Sequence, residues 1–207
     1  MGVFYIFRYS DMKVFNIICL IIILLMVFFI YTMDQRHKET IITQKTHIDS
    51  LETSLSEIQE VQKQLTEALN KLPLKKPLTT IEKCGKFGYR RDPFTKKWSY
   101  HYGIDLVGKH RDTVYATGDG VVVLAKWNFG YGRCVIIEHE DNFRSLYAHL
   151  SKIYVKKGDY VDVNQKVGKC GSTGRSTGAH LHYEVIHNGH RVNPCSFIDP
   201  LNNNYCN

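Results

Sequence analysis

Two histidines stand two apart in His180-Leu181-His182, inside a run rich in aromatic and β-branched residues. In a strand, positions i and i+2 share a face, so both imidazoles project together while Leu181 points the other way. Such a pair suits metal binding or proton transfer, and it equally suits two hydrogen-bonded structural histidines. The pentad His101-Tyr102-Gly103-Ile104-Asp105 adds an imidazole and a carboxylate four residues apart, with a glycine to bend the backbone between them. Nitrogen plus oxygen donors suit zinc, and three protein ligands with an open fourth position are the pattern of a catalytic site. A third element, Tyr147-Ala148-His149-Leu150, closes another extended run.

The elements that must position these groups read as strands. After residue 83 come short β-branched and aromatic runs separated by glycine-bearing turns: Gly120 to Lys126, Cys134 to His139, Arg144 to His149, Lys166 to Cys170, and His180 to His187. That spacing predicts an antiparallel β domain of ~115 residues. Asn188-Gly189, between His187 and His190, is a strong two-residue hairpin signal. No stretch of helical periodicity interrupts this half. The remaining histidines read as ordinary: His139 as structural, His187, His190 and His110 as solvent-exposed, and His37 and His47 as outside the domain.

These residues carry a resemblance. Residues 84–198 resemble the lysostaphin-type (LytM) zinc metalloendopeptidases of bacterial cell walls in four ordered blocks: Phe87 to Phe94 (FGYRRDPF), His101 to Asp105 (HYGID), Tyr147 to Leu150 (YAHL) and Gly171 to Glu184 (GSTGRSTGAHLHYE). The resemblance implies that His101, Asp105 and His182 bind Zn²⁺, with His149 and His180 beside the ion but not ligating it. Two neutral imidazoles and one carboxylate would leave that site net +1, so the zinc stays a strong Lewis acid toward water and a peptide carbonyl. A histidine beside the ion can take the water's proton and return it to the leaving amine, or donate to the tetrahedral oxyanion; His180 is assigned the first role and His149 the second, though sequence does not separate them, and Tyr131, in Trp127 to Gly132, is assigned to steady the same oxyanion by the resemblance. Asn164 stands where the family often has glycine, and asparagine tolerates the left-handed conformation such a turn needs. Ala179 stands where many relatives have proline before the His-Leu-His triplet.

Upstream, Val14 to Tyr31 is an almost unbroken apolar run of 18 residues. At ~1.5 Å per residue this is about enough to cross a bilayer as a helix, and no small-residue cleavage pattern follows it. From Ile48, the side chains Ile48, Leu51, Leu55, Ile58, Gln62, Leu65, Leu69 and Leu72 alternate spacings of three and four, which is a coiled-coil seam with one polar member. Pro73 and Pro77 then break the helix. The expected organisation is a cytoplasmic tail (1–13), a transmembrane anchor (14–31), a coiled-coil helix (32–72), a linker (73–83), the mainly β peptidase domain with its substrate groove (84–200) and a tail (201–207). The seam should be covered by a second copy, another envelope protein or the domain itself.

Charge divides along the same line. Residues 1–72 carry 7 basic and 8 acidic side chains, and residues 73–207 carry 20 and 12, so the net +8 lies wholly in the second part. That attracts polyanions in general, but no nucleic-acid motif accompanies it. With Cys19 in the apolar run, five cysteines remain elsewhere, and an odd number cannot all pair within one chain. The expected function is zinc-dependent hydrolysis of peptide crosslinks in peptidoglycan, from a single-pass anchor in the bacterial cytoplasmic membrane, with the domain facing the periplasm or wall. Two other readings compete with it: an inactive scaffold or activator of another wall hydrolase, whose relatives lose metal ligands, and a secreted bacteriolytic enzyme.

Overall fold

A computed structural model describes residues 9–107 and 112–198; most of the expected N-terminal tail, His110 and the 201–207 tail lie outside them. The chain divides into two compact units, residues 1–61 and 62–207.

One α-helix, α1 (Tyr9–Asn70), runs through the apolar stretch and the seam without a break. Its sequence contains neither proline nor glycine, so nothing removes a backbone donor or relaxes φ. The expected end at residue 72 arrives two residues early. Lys71 and Leu72 donate to the carbonyls of Ala68 and Leu69, a tightened 3₁₀-like last turn ahead of Pro73. Within the helix, every large apolar side chain from Leu20 to Tyr31 is at least half exposed.

The second unit is mostly antiparallel sheet. Its strands in chain order are β1 (Lys83–Gly85), β2 (Gly88–Arg91), β3 (Trp98–His101), β4 (Ile104–Val107), β5 (Thr113–Tyr115), β6 (Gly120–Asn128) and β7 (Gly132–Glu138). There follow β8 (Phe143–Leu150), β9 (Lys152–Ile153), β10 (Tyr160–Val161), β11 (Lys166–Lys169), β12 (Leu181–His187), β13 (His190–Val192) and a one-turn helix, α2 (Cys195–Ile198). The main sheet has the order β1-β4-β12-β8-β7-β6-β10, with β13 paired to β12. β5-β11-β9 form a second sheet, and β2-β3 a separate hairpin.

Alternation along these strands sends Ile104, Leu106, Val122, Ile137, Leu150, Leu181, Tyr183 and Val185 into one core. A buried polar chain stiffens it. His139 bridges the Asp119 carbonyl and Ser145, and Ser145, Tyr147, Thr117 and Tyr183 link hydroxyl to hydroxyl. Every member finds a partner, which is the condition for burying polar groups without penalty. Cys134 and Cys170 are buried thiols, while Cys195 is disulfide-bonded.

The turn signals behave as the sequence implies. Asn188 and Gly189 both take positive φ, 50° and 78°, and close β12 onto β13 with His187 opposite His190. Asn164 is left-handed at φ 64°. One expectation needs correction: His187 is half-buried, stacked on Phe143 with ring centroids 4.1 Å apart, because the cross-strand pair of β12 and β8 places the two rings face to face.

Candidate metal centre

Two adjacent strands of the main sheet carry two of the three expected ligands. His182 on β12 lies directly opposite Asp105 on β4, so sheet register alone brings an imidazole and a carboxylate together. His101 arrives from the end of β3, separated from β4 by the bend at Tyr102-Gly103. Glycine is needed there because a Cβ would run into the Tyr183 carbonyl and the His182 ring. The result is a triangle of ligand atoms. His101 Nε2 lies 3.0 Å from His182 Nδ1, which lies 2.9 Å from Asp105 Oδ1, and His101 Nε2 is 3.2 Å from the same Oδ1.

The outer atoms of each ligand are held so that its inner atom faces the centre. His101 Nδ1 donates to the Lys86 carbonyl at 2.9 Å, leaving a lone pair on Nε2. His182 Nε2 donates to Glu184 Oε1 at 2.9 Å, leaving a lone pair on Nδ1. Asp105 Oδ2 accepts from Arg90 Nη2 at 2.6 Å, leaving Oδ1 turned inward. With these tautomers three acceptors converge, and only a cation or a shared proton can satisfy them. Burial alone would raise the Asp105 carboxyl, but hydrogen bonds and charge from His101 and His182 outweigh it and hold the group well below the carboxylate range. Burial likewise works against charge on His182, yet Asp105 and Glu184 outweigh it and raise its basicity. The pocket thus stabilises positive charge at its centre. Zinc–ligand bonds of 2.0–2.1 Å would set tetrahedral edges of about 3.3 Å, close to the observed separations. The donor set therefore fits a zinc ion, with His101, Asp105 and His182 as the candidate group among the described residues.

Two more histidines face the same space. His180 precedes β12 and, as the period of two requires, lies on the face of His182; its Nδ1 donates to the Gly178 carbonyl at 2.8 Å, and its Nε2 stands 3.6 Å from Asp105 Oδ1. His149 sits at a bulge where Arg133 pairs with Leu150 but Val135 with Tyr147, and its φ of 60° is a left-handed value that non-glycine residues rarely adopt. That local strain re-aims the ring into the groove, with its centroid 4.8 Å from that of His180. His149 Nδ1 donates to the Thr173 carbonyl at 2.8 Å. Burial, then the neighbouring imidazoles, push its pKa down to about 4, so it is a neutral acceptor at Nε2.

Tyr131 lines the groove with its ring 5.8 Å from that of His182, but its hydroxyl donates to Glu184 Oε1 at 2.7 Å. Serving an oxyanion would require that proton to leave the carboxylate. Glu184, 1% exposed, is the residue that spacing alone did not single out. It accepts from His182, Tyr131 and Arg191 Nε (2.9 Å), a buried carboxylate behind a candidate ligand histidine. The signal that could have found it is period two again: His182 and Glu184 share one face of β12. The five histidine and aspartate side chains of the site and Tyr131 line a groove of ≈ 370 Å³ whose walls are the β2–β3 hairpin and the segment around Arg175 to Thr177.

Residues 99–194 match peptidase family M23. The chain is 42% identical over 124 residues to the DD-carboxypeptidase/endopeptidase Mpg of Neisseria meningitidis serogroup B, covering 60% of this chain and 29% of that protein. It is 45% identical over 112 residues to the peptidoglycan DD-endopeptidase ShyA of Vibrio cholerae, covering 54% of this chain and 26% of that protein. The chain thus spans under a third of the length of these curated relatives. Among solved structures, the catalytic domain of the antimicrobial peptidase lysostaphin from Staphylococcus simulans aligns with a TM-score of 0.50 at 36% identity, over 56% of this chain and 90% of that one.

Proposed function

We propose, from the premise that this chain belongs to peptidase family M23, that residues 84–200 form a zinc-dependent endopeptidase domain that hydrolyses peptide crosslinks of peptidoglycan. Its relatives named as peptidoglycan DD-endopeptidases support that substrate. The observation that carries the reading is the convergence of three acceptor atoms whose tautomers are fixed from behind. His101 Nε2, His182 Nδ1 and Asp105 Oδ1 would hold the zinc, which when bound supplies Lewis-acid activation of water and of the scissile carbonyl.

The chain's own groups handle the protons. His180, with Nδ1–H held by Gly178, presents Nε2 as the general base and later returns the proton to the leaving amine. His149, kept neutral by burial, would steady the developing oxyanion from the tautomer that carries its single proton on Nε2, giving up its donation to the Thr173 carbonyl. Tyr131 completes the wall of the groove and braces Glu184. The apolar part of α1, long enough to cross a membrane, would place this activity at the envelope, with the domain on the periplasmic or wall side.

Digestion of purified peptidoglycan by the detergent-solubilised, zinc-loaded chain, read by mass spectrometry of the fragments, tests this. Crosslinked dimers should disappear with the natural chain and persist with His182→Ala. Dimers left intact by the natural chain would favour the scaffold reading, and equal activity in the His182→Ala chain would refute the ligand assignment.

A further inference from the structure

The groove has two walls, and one ion pair joins them. Arg175, from the segment before β12, sets Nη2 2.8 Å from both carboxylate oxygens of Asp92 in the β2–β3 turn, 83 residues away in sequence. Its guanidinium also lies over the Phe94 ring, 4.6 Å from the centroid. The backbone beneath is fixed: Arg175 N–H donates to the Gly130 carbonyl at 2.8 Å, and Ser176 Oγ to the Gly178 carbonyl at 2.6 Å. A long, flexible cation is therefore held in one orientation although its side chain is 53% exposed.

A purely structural staple would use up both partners, and here only one is used up. Asp92 also accepts from the Phe94 and Thr95 amides at 2.9 and 2.8 Å and from the Thr95 hydroxyl at 3.2 Å. Its charge is shared over the turn. Arg175 gives Asp92 a single nitrogen, and its Nε and Nη1 make no hydrogen bond to any described residue. With Nη2 turned to Asp92, these two remain as single donors of a held cation, which suits a negatively charged acceptor such as a carboxylate. The surrounding charge agrees: Arg90, Arg91 and Arg175 line the groove against Asp92 and Asp105, an excess of one positive charge before any metal is counted.

We propose that Arg175 is a specificity-determining residue that receives a free carboxylate of the substrate, so that the groove selects crosslinks bearing a carboxylate beside the scissile amide over uncharged bridges such as oligoglycine. This rests on the reading of the site as a peptidoglycan endopeptidase. Asp92 and Phe94 act as positioning residues that hold the guanidinium with its Nε and Nη1 donors free.

The test compares two synthetic crosslinked stem-peptide dimers, identical except that the carboxylate next to the scissile amide is free in one and a carboxamide in the other. Both are offered to the full chain, solubilised and zinc-loaded, with binding measured by calorimetry and turnover by chromatography. The natural chain should bind the carboxylate form roughly 10- to 100-fold more tightly, the range for a hydrogen bond to a charged group. Arg175→Gln keeps a donor for Asp92 while removing the charge; it should erase that preference through KM, and Arg175→Lys should restore part of it. Equal affinity of the natural chain for both peptides, or a loss in Arg175→Gln that is the same for both, overturns the proposal. Carboxylate-selective binding without cleavage would sustain the role of Arg175 and count instead against the endopeptidase reading.

Discussion

Ile21 in the N-terminal helix is 50% exposed and Ile137 in β7 is 0% exposed, though both are the same residue in an apolar neighbourhood. The difference is who supplies the cover. In the β domain, strands from distant parts of the sequence close over Ile137, so the chain buries its own apolar surface. Along α1 the apolar side chains project in every direction, and one helix has no second surface to offer them. The seam of Ile48, Leu51, Leu55 and Ile58, each more than half exposed, poses the same problem on one face only. An all-round apolar helix asks for lipid and a striped helix asks for another helix, whereas a sheet with alternating faces completes itself.

The sharpest way to break this contrast is to make one cut in both regions. Ile137→Ala should destabilise the domain by about 2–5 kcal/mol, from lost transfer energy plus a residual cavity, while Ile21→Ala should move the same urea transition by less than ~0.5 kcal/mol. Equal shifts would mean that exposure does not separate the two isoleucines. Conversely, Leu25→Arg, costing about 2.5–3.5 kcal/mol at the centre of a bilayer, should release the chain from the membrane fraction without altering the domain's transition.

Within the domain, the site can be separated from the core that supports it. Glu184→Gln keeps the volume and an acceptor for Tyr131 but weakens the partner of His182; zinc affinity, measured by competition with a chromogenic chelator, should fall about 10- to 100-fold. An unchanged affinity would show that the carboxylate behind His182 does not tune it. The smallest expected effect concerns His139, whose burial lowers its pKa below the ordinary 6.5. The unfolded chain therefore takes up a proton first as pH falls, so stability is full above about 6.5 and declines below it. Urea midpoints at pH 7.5 and 5.5 should differ less in His139→Gln than in the natural chain, and an undiminished difference would assign the acid sensitivity to other groups.

Much of the candidate site was legible because short-range rules place its residues. His180 and His182 share a face through the period of a strand, the bend between His101 and Asp105 needed its glycine, and Asn188-Gly189 closed the hairpin it announced. The bracing was not legible, because its partners are distant or have no side-chain identity. The Lys86 carbonyl sets the His101 tautomer, Arg90 reaches Asp105 from 15 residues away, and Arg175 meets Asp92 across 83. Period two would have put Glu184 behind His182, but not Tyr131 and Arg191 around Glu184.

By itself, then, the order of residues determined where the helix runs, which stretches alternate as strands, and which histidines share a face, since each depends on neighbours within a few positions. Tertiary structure decided that β4 lies beside β12 in the register that sets Asp105 opposite His182, that a bulge turns His149 inward, and that two loops meet through Arg175. The physical reason is reach: propensity and periodicity act over one or two turns of chain, while a cluster of converging lone pairs exists only once a whole sheet has closed around it.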